Sequence, residues 1–159
     1  MGQPVALQGF ISYAHDDRRL YDDLRPHLRG VERSCGITFW ADTSLTAGTR
    51  WNDEIARRIQ AAHVALLLMS YNAVGSDYIC DIEIPAIERR RDDAGLLMIP
   101  VILNRCLWQH VCGAFQAVPM HAGHLLPVAD WHPRDHGCHA VSEQIDRAIK
   151  AHFAPSPAP

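Results

Sequence analysis

His63-Val64-Ala65-Leu66-Leu67-Leu68-Met69-Ser70 is apolar nearly throughout, as expected of a central strand in a parallel sheet that is covered on both faces. The segments on either side support that reading. Before it, Trp51, Ile55, Ile59 and Ala62 share one helical face, and Asp53 and Glu54 suit the first turn of that helix. Earlier still come a short strand, 36–41, and a polar, Gly-containing loop, 42–49. The chain opens with a strand from Gln8 to Tyr13 and a helix in which Leu20, Leu24, Leu28 and Val31 recur at helical spacing. Asp16 is suited to cap that helix, Gly30 to help stop it, and Pro26 to kink it.

After the central strand, 76–91 reads as a helix, Leu96 to Leu103 as a strand and Cys106 to Ala114 as a short irregular segment. Gln116 to Val118 gives a weaker strand, and Val141, Ile145, Ala148, Ile149 and Phe153 a last amphipathic helix. Strands alternating with helices predict an α/β fold. The simplest arrangement is a flavodoxin-like three-layer sandwich, with five parallel strands in the order 2-1-3-4-5 flanked by helices. Residues 1–153 form one domain, and the Pro-rich 154–159 reads as an extended linker toward a further C-terminal domain.

In such a sheet, ligands bind beyond the carboxyl ends of the strands at the switch point. That rule selects Ser12, Tyr13, Ala14 and His15 after the first strand, and Ser70, Tyr71 and Asn72 after the third. On a wheel of about 100° per residue, Glu83 falls in the middle of the apolar arc of the 76–91 helix. Ile79, Ile82 and Ala86 lie on one side of it, Cys80, Ile84 and Ile87 on the other. A carboxylate there loses hydration, which costs free energy unless hydrogen bonds, a cation or a ligand compensates. The alternatives are an ion pair with an arginine of the same helix, such as Arg90, or a functional role. Pro85 either sits in a late first turn or bends the axis beside Glu83 by removing the bond to the Asp81 carbonyl.

Composition narrows the classes. The 159 residues are 48% hydrophobic and 21% charged, as in a soluble globular domain. Net charge is −3, and no basic stripe with interleaved aromatics suggests nucleic acid. Arg89-Arg90-Arg91 is balanced by Glu88, Asp92 and Asp93. The five cysteines are odd in number and lack paired CxxC spacing, so neither a disulfide framework nor a zinc site is signalled. A reducing, cytoplasmic setting is expected. The longest aliphatic run, Val64 to Met69, is far short of the roughly 18 residues that span a bilayer. The ten histidines, among them His121, His124 and those from His132 to His139, lie in Pro/Gly-rich segments without a defined ligand turn, and no metal is expected.

Phe10-Ile11-Ser12-Tyr13, then Phe39-Trp40-Ala41-Asp42 with Leu45, Ala47-Gly48 and Trp51, then Ser70-Tyr71-Asn72 and Ser76-Asp77-Tyr78-Ile79-Cys80-Asp81-Ile82-Glu83 follow one another in this order. Together these motifs resemble the Toll/interleukin-1 receptor (TIR) domains, chiefly their bacterial branch. The resemblance covers nearly the whole chain. It implies that Glu83 is the acid needed to cleave the nicotinamide–ribose bond of NAD, giving nicotinamide and ADP-ribose or a cyclic isomer. NAD would be the substrate, with no cofactor. The resemblance further implies activation by self-association through the loop Thr43, Ser44, Leu45, Thr46, Ala47, Gly48 and Thr49, and a linked sensor domain in a bacterial anti-phage defence protein.

The chemistry suits one carboxylate. Nicotinamide leaves as a neutral molecule, so the acid/base pair of ordinary glycosidases is unnecessary. What remains is to stabilise an oxocarbenium-like ribose and hold its hydroxyls. Phe10, Tyr13 and Trp51 are candidate aromatic walls, Trp51 being equally readable as a core residue. Ser12, Asp42 and Arg50 are candidates for polar contacts. Ile79 stands four positions before the acid, where many active relatives carry an aromatic, and Tyr78 on a regular helix would point about 100° away. The competing class is a TIR scaffold that signals by homotypic assembly alone. A phospho-receiver is disfavoured because Ser70 stands where its aspartate belongs and Lys150 is the only lysine. There is no GxxxxGK loop, and Asp16 and Asp17 would repel an FMN phosphate. A nucleoside glycosyl-transfer enzyme also uses a lone glutamate beside a ribose.

Overall fold

The structure is a computed structural model that describes residues 6–42 and 51–155, with the backbone alone at 51 and 52. In chain order the described elements are β1 (Leu7–Ser12), α1 (Arg18–Cys35), β2 (Ile37–Ala41), α2 (Trp51–Ala61), β3 (Val64–Met69), α3 (Tyr71–Val74), α4 (Ile84–Ala94), β4 (Leu97–Ile102), α5 (Gln109–Cys112), β5 (Met120–His121), β6 (His124–Leu125) and α6 (Arg134–His152). A five-residue π-helical turn, Ile79–Glu83, leads directly into α4.

β2, β1, β3 and β4 lie side by side in that order, all parallel. β3 is buried at every residue, and its alternation divides the core. Leu66 and Leu68 join Ile11, Leu24, Leu28, Val141 and Ile145 under α1 and α6. Leu67 and Met69 join Phe10, Ile55, Ile59, Ile84 and Ile87 under α2 and α4. Burial of both faces is why this strand carries no polar residue.

The sheet has four strands where the sequence reading expects five. Of the segment 116–118, only Val118 pairs with β4, through one parallel bridge to Val101. Pro119 follows at once, has no N–H to donate, and ends the ladder. α1 runs through Pro26 and past Gly30 to stop at Gly36, whose φ of 66° is the left-handed cap that glycine adopts without strain. Its first residue follows Asp17, which makes no side-chain cap and instead takes the inward bonds described below, while Asp16, the expected cap, is exposed.

Gly9 faces Phe39 across the β1–β2 pair, and a Cβ at Gly9 would collide with the Phe39 ring. Gly9→Ala is therefore expected to destabilise the fold by about 1–3 kcal/mol, read as a lower urea midpoint at unchanged slope. An unshifted midpoint would mean that the ring moves aside freely.

Candidate functional site

β1 ends by sending successive side chains to opposite faces of the sheet. Phe10 and Ser12 turn toward α2 and α4, Ile11 and Tyr13 toward α1. The acid arrives from the other side. Pro85 offers no N–H to the Asp81 carbonyl, and the N–H of Ile84 reaches back five residues to the carbonyl of Ile79. One turn therefore closes with an extra residue, the π geometry often found at functional sites.

Glu83 closes this turn with 5% of its surface exposed. The Ser12 hydroxyl donates to its Oε1 at 2.8 Å. Among the described residues it forms no ion pair, and Arg90 is not its partner. Burial pushes the Glu83 carboxyl from an ordinary 4.5 up to about 7; the Ser12 bond works against this rise, and the charge of Asp42 adds to it. Protonated and ionised forms are therefore both accessible near neutral pH.

Phe10, Ile11, Tyr13, His15, Asp42, Ile55 and Glu83 line a crevice of ≈ 20 Å³. That volume suits one water molecule, so a ribose enters only if the crevice widens. Phe10 stacks on Trp40 with ring centroids 5.8 Å apart, and the Arg58 guanidinium lies 5.1 Å from the Trp40 centroid on that ring.

Of the residues the sequence selects, Phe10, Ser12, Tyr13, Asp42 and Glu83 are brought to this crevice or its immediate wall. Tyr13 is not arranged as an open aromatic wall. Its ring stacks on Tyr21 at 4.4 Å, and its hydroxyl donates to the Asp42 carbonyl at 3.1 Å, so it braces the chain after β2. Ile79 is buried at 4% exposure in the core beneath the π turn. Ile82, expected on the apolar arc, is 53% exposed. Arg50, the Trp51 side chain and the loop 43–49 lie outside the described residues.

His15, which the switch-point rule selects, lines the crevice, and the sequence reading misses two further neighbours. Trp40 backs Phe10. Tyr78, five positions before Glu83, points away from the acid on a regular helix, but a turn closed by a five-residue step brings it back toward the same side. Its phenol is pushed up to about 12, first by burial and then by the charges of Glu83 and Asp42. The signal was Pro85, whose effect on register cannot be chosen from the sequence.

Beside the crevice, the buried Asp17 carboxylate accepts from the Ser70 hydroxyl and, at 3.0 Å, from the Asn72 amide. Ser70 in turn accepts from the Ala73 N–H at 3.0 Å and caps α3. This cluster ties the start of α1 to the end of β3 and anchors the turn that carries His15. The His121–His124 stretch is a hairpin whose turn residues Ala122 and Gly123 have φ of 51° and 83°. Among the described residues, no three His, Cys, Asp or Glu side chains are placed to hold a metal ion, and no helix is long and apolar enough to cross a membrane.

Comparison with known proteins gives a consistent picture of the fold. Residues 10–137 match the family described as TIR domain. The chain is 32% identical over 151 residues to an uncharacterised protein, y4lF, of Sinorhizobium fredii (strain NBRC 101917 / NGR234), covering 92% of this chain and 46% of that one. It thus spans about half the length of that relative. Among solved structures it is similar to the RPS4 and RRS1 TIR domain heterodimer, with TM-score 0.58, 14% identity, and 92% of this chain and 96% of that chain covered. The TIR domains of the activated Roq1 resistosome recognising the effector XopQ align with TM-score 0.49 at 18% identity, covering 91% of this chain and 73% of that one.

Proposed function

The chain belongs to the TIR domain family, and from that premise we propose that it cleaves the nicotinamide–ribose bond of NAD, with Glu83 as the catalytic acid residue. The observation that carries the reading is the burial of Glu83 at a strand-end crevice, held by Ser12 and without a cation partner among the described residues. A carboxylate placed so has lost its hydration without gaining a countercharge, an arrangement that favours a cationic guest.

In the reaction, the C–N bond to nicotinamide breaks and its electron pair leaves with the neutral pyridine. The ribose C1′ becomes oxocarbenium-like and is captured by water, giving ADP-ribose, or by an internal nucleophile, giving a cyclic isomer. Ser12 occupies Oε1 of Glu83, leaving Oε2 to accept from a ribose hydroxyl. The negative potential of Asp42 adds to that of Glu83. Tyr78 provides the aromatic edge that Ile79 does not.

Self-association belongs to the same proposal. The ≈ 20 Å³ crevice is too small for a ribose, and contact between TIR domains through the segment after Asp42 would widen it, keeping the isolated chain weakly active. The fold relative of RPS4 and RRS1 is itself a TIR domain heterodimer. A linked sensor domain in a bacterial defence protein fits a relative about twice as long.

The test is nicotinamide release from NAD by concentrated or artificially clustered protein, with nucleosides as parallel substrates. Because the ionised form of Glu83 stabilises the cation, activity should rise with pH along a limb centred on about 7. No release from clustered protein, or a profile flat from about pH 5.5 to about pH 8.5, would leave the scaffold reading; cleavage of nucleosides but not NAD would reassign the substrate.

A further inference from the structure

A groove of ≈ 750 Å³ opens on the side of the sheet away from β2, and shares no lining residue with the Glu83 crevice. Its walls include both Met98 and Ile99, whose side chains enter opposite core faces, and both Ala117 and Val118, which also enter opposite faces. Only the edge of a strand is common to neighbours that point oppositely. The groove is therefore a fork between the outer edge of β4 and the segment 116–118, closed at one end by the Val118 bridge.

The backbone pattern inside the fork is definite. The N–H of Leu97 bonds to the His63 carbonyl and that of Leu103 to the Met69 carbonyl, so odd-numbered residues of β4 face β3. Even-numbered ones face outward. Val118 takes two of these outward groups, donating to the Pro100 carbonyl at 2.9 Å and accepting from the Ile102 N–H at 2.8 Å. The N–H and C=O of Met98 point the same way, and no described residue bonds to them. Backbone groups at an open edge are a template for another strand.

The surroundings select its chemistry. Phe115, Val118 and Ala148 offer apolar surface, while Arg147 is the one ionised side chain among the lining residues and has no carboxylate partner among the described residues. We propose that this fork binds an extended peptide segment carrying a carboxylate, which enters as an added strand beside β4. Its main chain exchanges hydrogen bonds with Met98, alternate side chains rest on the apolar walls, and its carboxylate pairs with Arg147.

The test is selection of a phage-displayed random hexapeptide library on the full chain, followed by synthesis of the enriched sequences. Enrichment of acidic, β-branched peptides is expected. N-methylation at each amide in turn should weaken binding about tenfold at one position, the amide that donates to the Met98 carbonyl, and leave the neighbouring positions unaffected. Arg147→Glu should weaken acidic peptides by about the same factor. The proposal is overturned if no sequence is enriched over an Ala148→Tyr chain with its groove filled, or if bound peptides are indifferent to N-methylation. It is equally overturned if Ala148→Tyr instead abolishes self-association, which would make a second copy the occupant.

Discussion

Glu83→Gln is expected to lower nicotinamide release by about 10²–10³-fold while self-association, followed by sedimentation, is unchanged. Glutamine is close to isosteric with the protonated acid and keeps an oxygen to accept from Ser12, so the fold and the 2.8 Å contact have no reason to fail. What disappears is the negative charge facing C1′. In a site from which water is largely excluded, that charge acts at low effective dielectric, where its interaction with an oxocarbenium ion is strongest. KM should move little, since the ground-state ribose is neutral. Retention of more than about a tenth of the turnover would exclude an electrostatic role for Glu83, and loss of assembly together with turnover would show a structural one.

The same substitution should make the protein more stable at alkaline pH. A carboxyl whose folded pKa is raised is favoured in the fold only while it holds its proton, so the folded state binds more protons than the unfolded chain between 4.5 and about 7. Stability then falls as pH climbs through that window. The difference amounts to roughly 3 kcal/mol once Glu83 is fully ionised, near pH 8 and above. Glutamine has no proton to lose and escapes the penalty. Urea unfolding at about pH 5 and about pH 8 should show wild type and variant nearly equal in the first condition and the variant well ahead in the second. If Glu83→Gln is less stable at both, the ionised acid is compensated in the fold and its burial is structural. Gain of stability with loss of activity is the pattern of a residue kept for function.

The parts of this fold that are legible in the chain are those encoded by local periodicity. β3 is readable because a strand covered on both faces needs an unbroken apolar run, and α1 because Leu24, Leu28 and Val31 repeat at the helical period and are buried. The inward turn of Glu83 follows from the same arithmetic. The rest depends on register. Ile82 is exposed and Tyr78 turns toward Glu83, neither of which a wheel of fixed pitch gives, because it cannot anticipate the π turn that Pro85 accompanies. Phe10 and Tyr13 both line the crevice, yet strand alternation sends them to opposite faces of the sheet. The segment Gln116 to Val118 suggests a fifth strand, whereas Pro119 permits one bridge.

By itself, the sequence determined the α/β class, the order of its elements, the TIR family likeness and the presence of one carboxylate in an apolar face, since each is written in neighbours a few positions apart. Only the tertiary structure decided what that carboxylate meets. Ser12 is 71 positions away, Asp42 enters from another strand, and the rise of Glu83 to about 7 is the sum of their effects with burial. Desolvation and charge act through space, and no spacing along the chain records which distant residues will share it.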